Sequence, residues 1–186
     1  MDMNNTGSME YLETTDPGIK LVPPNVERDA QLGVEWLAGE DGRETLKLMG
    51  VTENNNKPTT LRAEKERVQG FIENTNQLNW MIELNGKVVG SVWLDLVETE
   101  YLLSPSIHIM VGDPTARQGG VGAAACSAVI EHIRSKAKFT SMYSRYLTIN
   151  IGSKKLLSKL GFEVYGDDYV DQDGLRWQNV RLNISK

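Results

Sequence analysis

The stretch ARQGGVGAAA, Ala116 to Ala125, places Gly119, Gly120 and Gly122 directly ahead of a run of alanines. It follows the apolar run SIHIMVG (106–112), which reads as a strand, and it opens a segment of helical periodicity. Glycine-rich turns between a strand and a helix commonly wrap an anion. The helix start supplies unpaired N–H groups, and missing β-carbons let a phosphate approach the chain.

Four readings compete for the turn. A phosphate loop of the nucleoside-triphosphate type needs Gly-Lys-Ser/Thr at its end, and no lysine lies here. The dinucleotide fingerprint G-x-G-x-x-G/A is met literally by Gly120, Gly122 and Ala125. However, DPTARQG separates the strand from the glycines, and Thr140, Ser141 and Met142 stand where a ribose-binding acid is expected. The third reading is R-x-x-G-x-G, from Arg117, Gly120 and Gly122, holding a pyrophosphate arm on backbone N–H groups. The fourth is a plain glycine-rich turn.

Working outward, LNWMIEL and KVVGSVWLDL flank Asn85-Gly86 and predict a hairpin. From Gly120 to about Lys136, Val121, Ala124, Ala125, Ala128, Val129, His132 and Ile133 form one helical stripe. TSMYSRYLTI predicts a strand, GSKKLLSKLG a helix closed by Gly161, and FEVYG and RWQNVRLNI two final strands. Upstream, IKLVP is a short strand, VERDAQLGVEWLAG and RETLKLMG short helices, and Thr59 or Thr60 caps the helix LRAEKERVQGFIEN. The first 15 or so residues are polar and read as a flexible segment, residues 16–186 as one α/β domain with a mixed sheet.

The chain has 186 residues and a net charge of −5. That charge argues against a nucleic-acid binder and suits a cationic partner. No apolar run approaches the ~20 residues of a membrane span, and no signal peptide is visible, so a cytoplasmic location is expected. A lone cysteine, Cys126, excludes an intrachain disulfide and reads as a packed helix residue. With His108 and His132 as its histidines, the sequence gives no metal site. DDYVDQDG matches only the end of a calcium loop, at Asp171 and Asp173-Gly174, and reads as a turn.

Thirty residues beyond the glycines, NIGSKKLLSKLGF (150–162) gives N-x-x-S-x-x-L-x-x-K-x-G-F. With SIHIMVGDPTARQGGVGAAA, it resembles the GNAT superfamily of acyl-CoA-dependent N-acetyltransferases. The likeness is to the branch that holds polyamine and ribosomal-protein N-terminal acetyltransferases. It covers roughly residues 78 to 183. It implies a GNAT fold: a mixed sheet of about six to seven strands, two of them parallel and splayed, flanked by helices. It also implies acetyl-CoA as co-substrate, no metal, and a small amine or peptide N-terminus as acceptor. A homodimer is one arrangement it allows.

The resemblance further implies site residues. The backbone of Met110 and Val111 would bond the pantetheine arm. Backbone N–H groups of Gln118, Gly119, Gly120, Val121, Gly122 and Ala123 would surround the pyrophosphate. Arg117 would add charge, or is a surface arginine. Asn150 would reach the arm, cap the following helix, or do both. The Val111 N–H is the family-like donor to the oxyanion.

Catalysis departs from the pattern. Leu157 stands where many relatives have a tyrosine acid, leaving Ser153 as the substitute donor or as a helix residue packing against CoA, and Tyr143 and Tyr146 as further donors. Ser106 stands where many relatives have a glutamate base. His108 shares its face by strand alternation and ranks first as base, although a lone histidine in an apolar strand also reads as a core residue. Glu98 and Glu100, in the loop before that strand, either attract a cationic amine or are solvated loop charges, while Glu83 and Asp95 are weaker candidates. The expected activity is acetyl transfer from acetyl-CoA to a primary amine. The alternatives are a CoA-binding module without catalysis and a nucleotide-binding redox protein.

Overall fold

The computed structural model describes residues 10–185. A first strand, β1 (Leu12–Glu13), and β2 (Ile19–Val22) precede three helices, α1 (Val26–Trp36), α2 (Gly39–Leu48) and α3 (Leu61–Glu73). An antiparallel meander follows: β3 (Gln77–Leu84), β4 (Lys87–Asp95) and β5 (Ser106–Val111). Then come α4 (Val121–Lys136), β6 (Ser141–Leu147), α5 (Ile151–Lys159), β7 (Glu163–Val164), β8 (Tyr169–Val170) and β9 (Arg176–Asn183). They form one sheet of nine strands in the order β1-β2-β3-β4-β5-β6-β9-β7, with β8 also paired to β9.

Three of these strands, β1, β7 and β8, are two residues long, so the longer strands match the expected six to seven. β1 pairs with β2, and the Trp80 indole donates to the Glu10 carbonyl at 3.0 Å. Residues 10–13 are thus fixed to the sheet ahead of the expected boundary at residue 16. The rest of the expected flexible segment, residues 1–9, lies outside the described residues.

Local chemistry sets the element ends. Thr60 caps α3 by accepting from the Ala63 N–H at 3.2 Å. Asn85 and Gly86 adopt φ of 50° and 83°, the left-handed pair that a tight hairpin requires. After α5, the Phe162 N–H returns to the Leu157 carbonyl at 3.0 Å, and Phe162 is buried. That closure explains the Gly-Phe that ends the second motif.

Helices cover both sheet faces. On α4, Val121, Ala125, Cys126, Val129, Ile130 and Ile133 are buried against Ile107, Trp80 and Ile82. The opposite face packs Trp36 and Leu37 on Met81, Val88 and Met110.

One joint in the sheet is different. β5 and β6 run parallel and are in register only at Ser106 and Tyr143. The Tyr143 N–H donates to the Pro105 carbonyl at 2.9 Å, and the Ser144 hydroxyl to the Ile107 carbonyl at 2.8 Å. Beyond that point the ladder ends and the strands diverge. The carbonyls of 105 and 107 face β6, so strand alternation turns the N–H and C=O groups of Ile109 and Val111 toward the gap.

Candidate active site

Two adjoining hollows open on this gap. The first, about 770 Å³, lies between the α4 and α5 starts, β5 and the end of α2. Its size falls within the ~300–1,000 Å³ of small-molecule sites. The second is lined by Asp95, His108, Arg145, Tyr146, Leu157 and Trp177, among others. Leu48, Met49, Ile109, Asn150 and Ser153 line both.

The first hollow is built from backbone. Gln118 and Gly120 take φ of 66° and 83°, and this double reversal delivers the chain into α4. Gly120 is the N-cap and no side chain caps the helix. The N–H groups of Val121, Gly122 and Ala123 therefore have no intrahelical acceptor, and the positive end of the helix dipole lies there. The atoms nearest to a β-carbon on Gly122 would be side-chain methyls of Ile109 and Leu156, at 3.4 to 3.9 Å. Its backbone conformation is ordinary for any residue, so the fold alone does not call for glycine. Of the expected phosphate contacts, Gln118, Gly120, Val121, Gly122 and Ala123 line the hollow, while Gly119 lies outside its lining.

Two expected contacts are re-aimed. The Met110 carbonyl faces β4, since a β-carbon on Gly90 would lie 2.3 Å from it. Ile109 and Val111 hold the gap-facing backbone instead. The Arg117 guanidinium folds back, with Nε donating to the Val111 carbonyl at 3.1 Å and Nη2 to Thr45 Oγ1 at 2.9 Å. It thereby ties α2 over the hollow. Asn150 does the same from the other wall: its Oδ1 caps α5 through the Ser153 N–H at 2.9 Å, and its Nδ2 donates to the Leu48 carbonyl at 3.1 Å. The end of α2 is a wall that the sequence did not announce.

The second hollow is built from side chains. His108 Nε2 lies 3.0 Å from Asp95 Oδ2 and 3.3 Å from Ser106 Oγ. Its ring stacks on Trp93, with centroids 5.4 Å apart. Burial raises the Asp95 carboxyl, and hydrogen bonds from His108 and Gln77 outweigh it, leaving the group below its ordinary range. Asp95 is therefore an acceptor for the Nε2 proton. Nδ1 has no partner among the described residues. Asp95 was a weak expectation. Cross-strand register makes it the partner of His108, because both Trp93–His108 and Asp95–Ser106 are directly opposed pairs.

Ser153 stands at the junction of the two hollows, and its hydroxyl has no partner among the described residues. Leu157, one turn on, is buried. Tyr146 lines the second hollow with an unpartnered hydroxyl, whereas Tyr143 packs edge-on against Tyr165. Glu98 and Glu100 are exposed on the loop after β4 and line neither hollow. Glu83 pairs with Val88 beside the hairpin turn and also lies outside both. Cys126 is buried in the core, and burial pushes its thiol up to about 12. Asp171 accepts N–H bonds from Asp173 and Leu175, both at 2.9 Å, and the Trp177 indole at 2.8 Å, which is a turn rather than a cation loop. No group of three or more metal-binding side chains occurs among the described residues. None of the helices there is long and apolar enough to cross a membrane.

Comparison with known proteins agrees with this architecture. The ribosomal L7/L12 α-N-protein acetyltransferase RimL, solved with coenzyme A, aligns over 94% of this chain and 98% of its own, with a TM-score of 0.72 and 14% identity. Mycobacterium smegmatis RimJ, with CoA-disulfide, aligns over 95% and 88%, with a TM-score of 0.73 and 18% identity. The microcin C7 self-immunity acetyltransferase MccE, with acetyl-CoA and AMP, aligns over 90% and 93%, with a TM-score of 0.72 and 12% identity. No curated protein sequence matches the chain. The sequence itself matches the acetyltransferase (GNAT) domain over residues 19–163, most of its length. The chain thus belongs to the GNAT family of acetyl-CoA-dependent N-acetyltransferases.

Proposed function

We propose that the protein moves an acetyl group from acetyl-CoA to a primary amine by direct attack on the thioester. The observation that carries the reading is the single gap with two unlike ends. One end offers the uncapped start of α4, and the other offers the Asp95–His108 pair. The N–H groups of Val121, Gly122 and Ala123 suit the pyrophosphate, and the gap-facing backbone of Ile109 and Val111 suits the amides of the pantetheine arm.

The chemistry then follows from the side chains. An alkylamine has a pKa near ~10.4 and must lose a proton before it can attack. His108 Nδ1 accepts that proton while Asp95 holds the opposite ring nitrogen and stabilises the imidazolium. The new C–N bond forms, and the Val111 N–H donates to the oxyanion. The C–S bond then breaks, and the thiolate takes a proton from Ser153, from Tyr146 or from water. The reading places the reaction in the cytoplasm, within one domain.

Buried Leu157, in place of a tyrosine, favours one competing reading: a CoA-binding module without catalysis. Release of free thiol from acetyl-CoA, followed over a panel of amines, separates the two. Amine-dependent release supports the enzyme. Tight acetyl-CoA binding with no release from any amine supports the module.

A further inference from the structure

The second hollow holds a positive charge that catalysis does not use. Ser106 and Tyr143 are in parallel register, so His108 and Arg145, each two residues on, occupy equivalent positions on the two diverging strands. Equivalent positions on parallel strands present side chains to the same face of the sheet. The two side chains thus line one hollow from opposite walls, across at least the ~4.8 Å of a parallel strand pair.

Arg145 is half-buried and forms no ion pair among the described residues. Its Nη1 donates to the Tyr169 hydroxyl at 3.0 Å, and its guanidinium lies 4.2 Å over the centre of the Trp177 ring. These contacts fix the plane of the fork without neutralising it. Asp171 is close enough for the Arg145 charge to help lower its carboxyl, but it forms no ion pair with Arg145, and its oxygens accept from the Trp177 indole and two backbone N–H groups. Most of the other arginines differ: Arg28, Arg62, Arg67, Arg134 and Arg176 each face a carboxylate. A guanidinium held flat in a hollow, with donors left over, matches a carboxylate or phosphate.

We propose that Arg145 determines acceptor specificity. The hollow takes an amine that also carries an anionic group, with the amine at His108 and the anion at Arg145. The inference rests on the acetyltransferase reading above. It disfavours polyamines, whose second charge would be positive.

The test measures kcat/KM for matched acceptors. One arm compares alanine with alaninamide, and the other compares O-phosphoethanolamine with ethanolamine. The wild-type enzyme prefers the anionic member of at least one pair by about 10- to 100-fold, the range of a charge-assisted hydrogen bond. The arm that shows the preference identifies carboxylate or phosphate. In Arg145→Gln the ratio collapses toward that of the free amines' own reactivities, and Arg145→Lys restores part of it. Because the ratio is taken within each variant, a general loss of folded protein cancels. Equal turnover of both members by the wild type, or an unchanged ratio in Arg145→Gln, overturns the inference while leaving the acetyltransferase reading intact. Absence of transfer to any amine by wild-type protein that binds acetyl-CoA overturns that reading itself.

Discussion

The two halves of the gap are made of different material. The half beside α4 offers main-chain groups: N–H groups at an uncapped helix start, gap-facing strand backbone, and Gly122, whose missing side chain leaves the helix start open. The half beside β4 and β9 offers side chains: the Asp95–His108 pair stacked on Trp93, and Arg145 on Trp177. In the proposed reading, main-chain donors recognise what every acyl-CoA shares. Side chains can be exchanged without disturbing the strands, so the proposed reading sets acceptor choice and proton transfer there. The same fold can therefore keep its donor and vary its acceptor.

If this division is right, substitutions should sort by half. The largest effect is expected from Gly122→Glu, which puts a carboxylate beside the pyrophosphate position. Acetyl-CoA affinity should fall by more than about 100-fold, because like charges placed together cost several kcal/mol. The thermal unfolding midpoint should move little, since a β-carbon there meets only flexible side-chain ends among its nearest neighbours and an acid suits a helix start.

On the other half, His108→Ala should lower kcat by about 100-fold or more, the contribution of a general base, and leave acetyl-CoA affinity in place. The acid limb of the pH–rate profile should vanish with it. Asp95→Asn should produce a smaller loss in the same direction, because it positions the imidazole without touching the amine. A profile unchanged in His108→Ala would remove it as the base. Ser153→Ala probes the boundary between the halves. A lost hydrogen bond of ~1 kcal/mol predicts about a fivefold fall in kcat, read in single-turnover transfer.

The smallest effect tests the frame rather than the site. The Asp113 carboxyl is lowered to about 2 by the Lys87 ammonium at 2.7 Å and by Thr115. A lowered carboxyl stabilises the fold above its ordinary value of 3.8, and that stability is lost as the pH falls through about 2. Lys87 is largely exposed, so solvent screening brings the effect to roughly 1 kcal/mol. Asp113→Asn should therefore unfold more readily than the wild type at pH 7, and the gap should close between about pH 4 and pH 2. A gap that persists at the acid end would assign the loss to packing.

The same division explains what the sequence could show. Glycine spacing, a helix start and the Asn150-to-Phe162 pattern are local signals. They mark α4, α5 and the residues that line the first hollow. Met110 and Val111 were separable only by knowing which way each peptide faces. That direction depends on the pairing of β5 with β6. Arg117 carried a charge that suggested phosphate, but the Val111 carbonyl and Thr45 claim its donors. The side-chain half has no local signature. Asp95 meets His108 because the loop after β4 returns the chain in register. Arg145 joins them from a strand beyond α4. The expectation of Glu98 and Glu100 followed charge alone, and charge does not say which way a loop turns.

The most direct measurement is a calorimetric titration of acetyl-CoA into three proteins: wild type, Gly122→Glu and His108→Ala. The account predicts saturable binding by the wild type, equal affinity in His108→Ala, and loss of binding in a folded Gly122→Glu. No binding by the wild type, or retained affinity in Gly122→Glu, would contradict it.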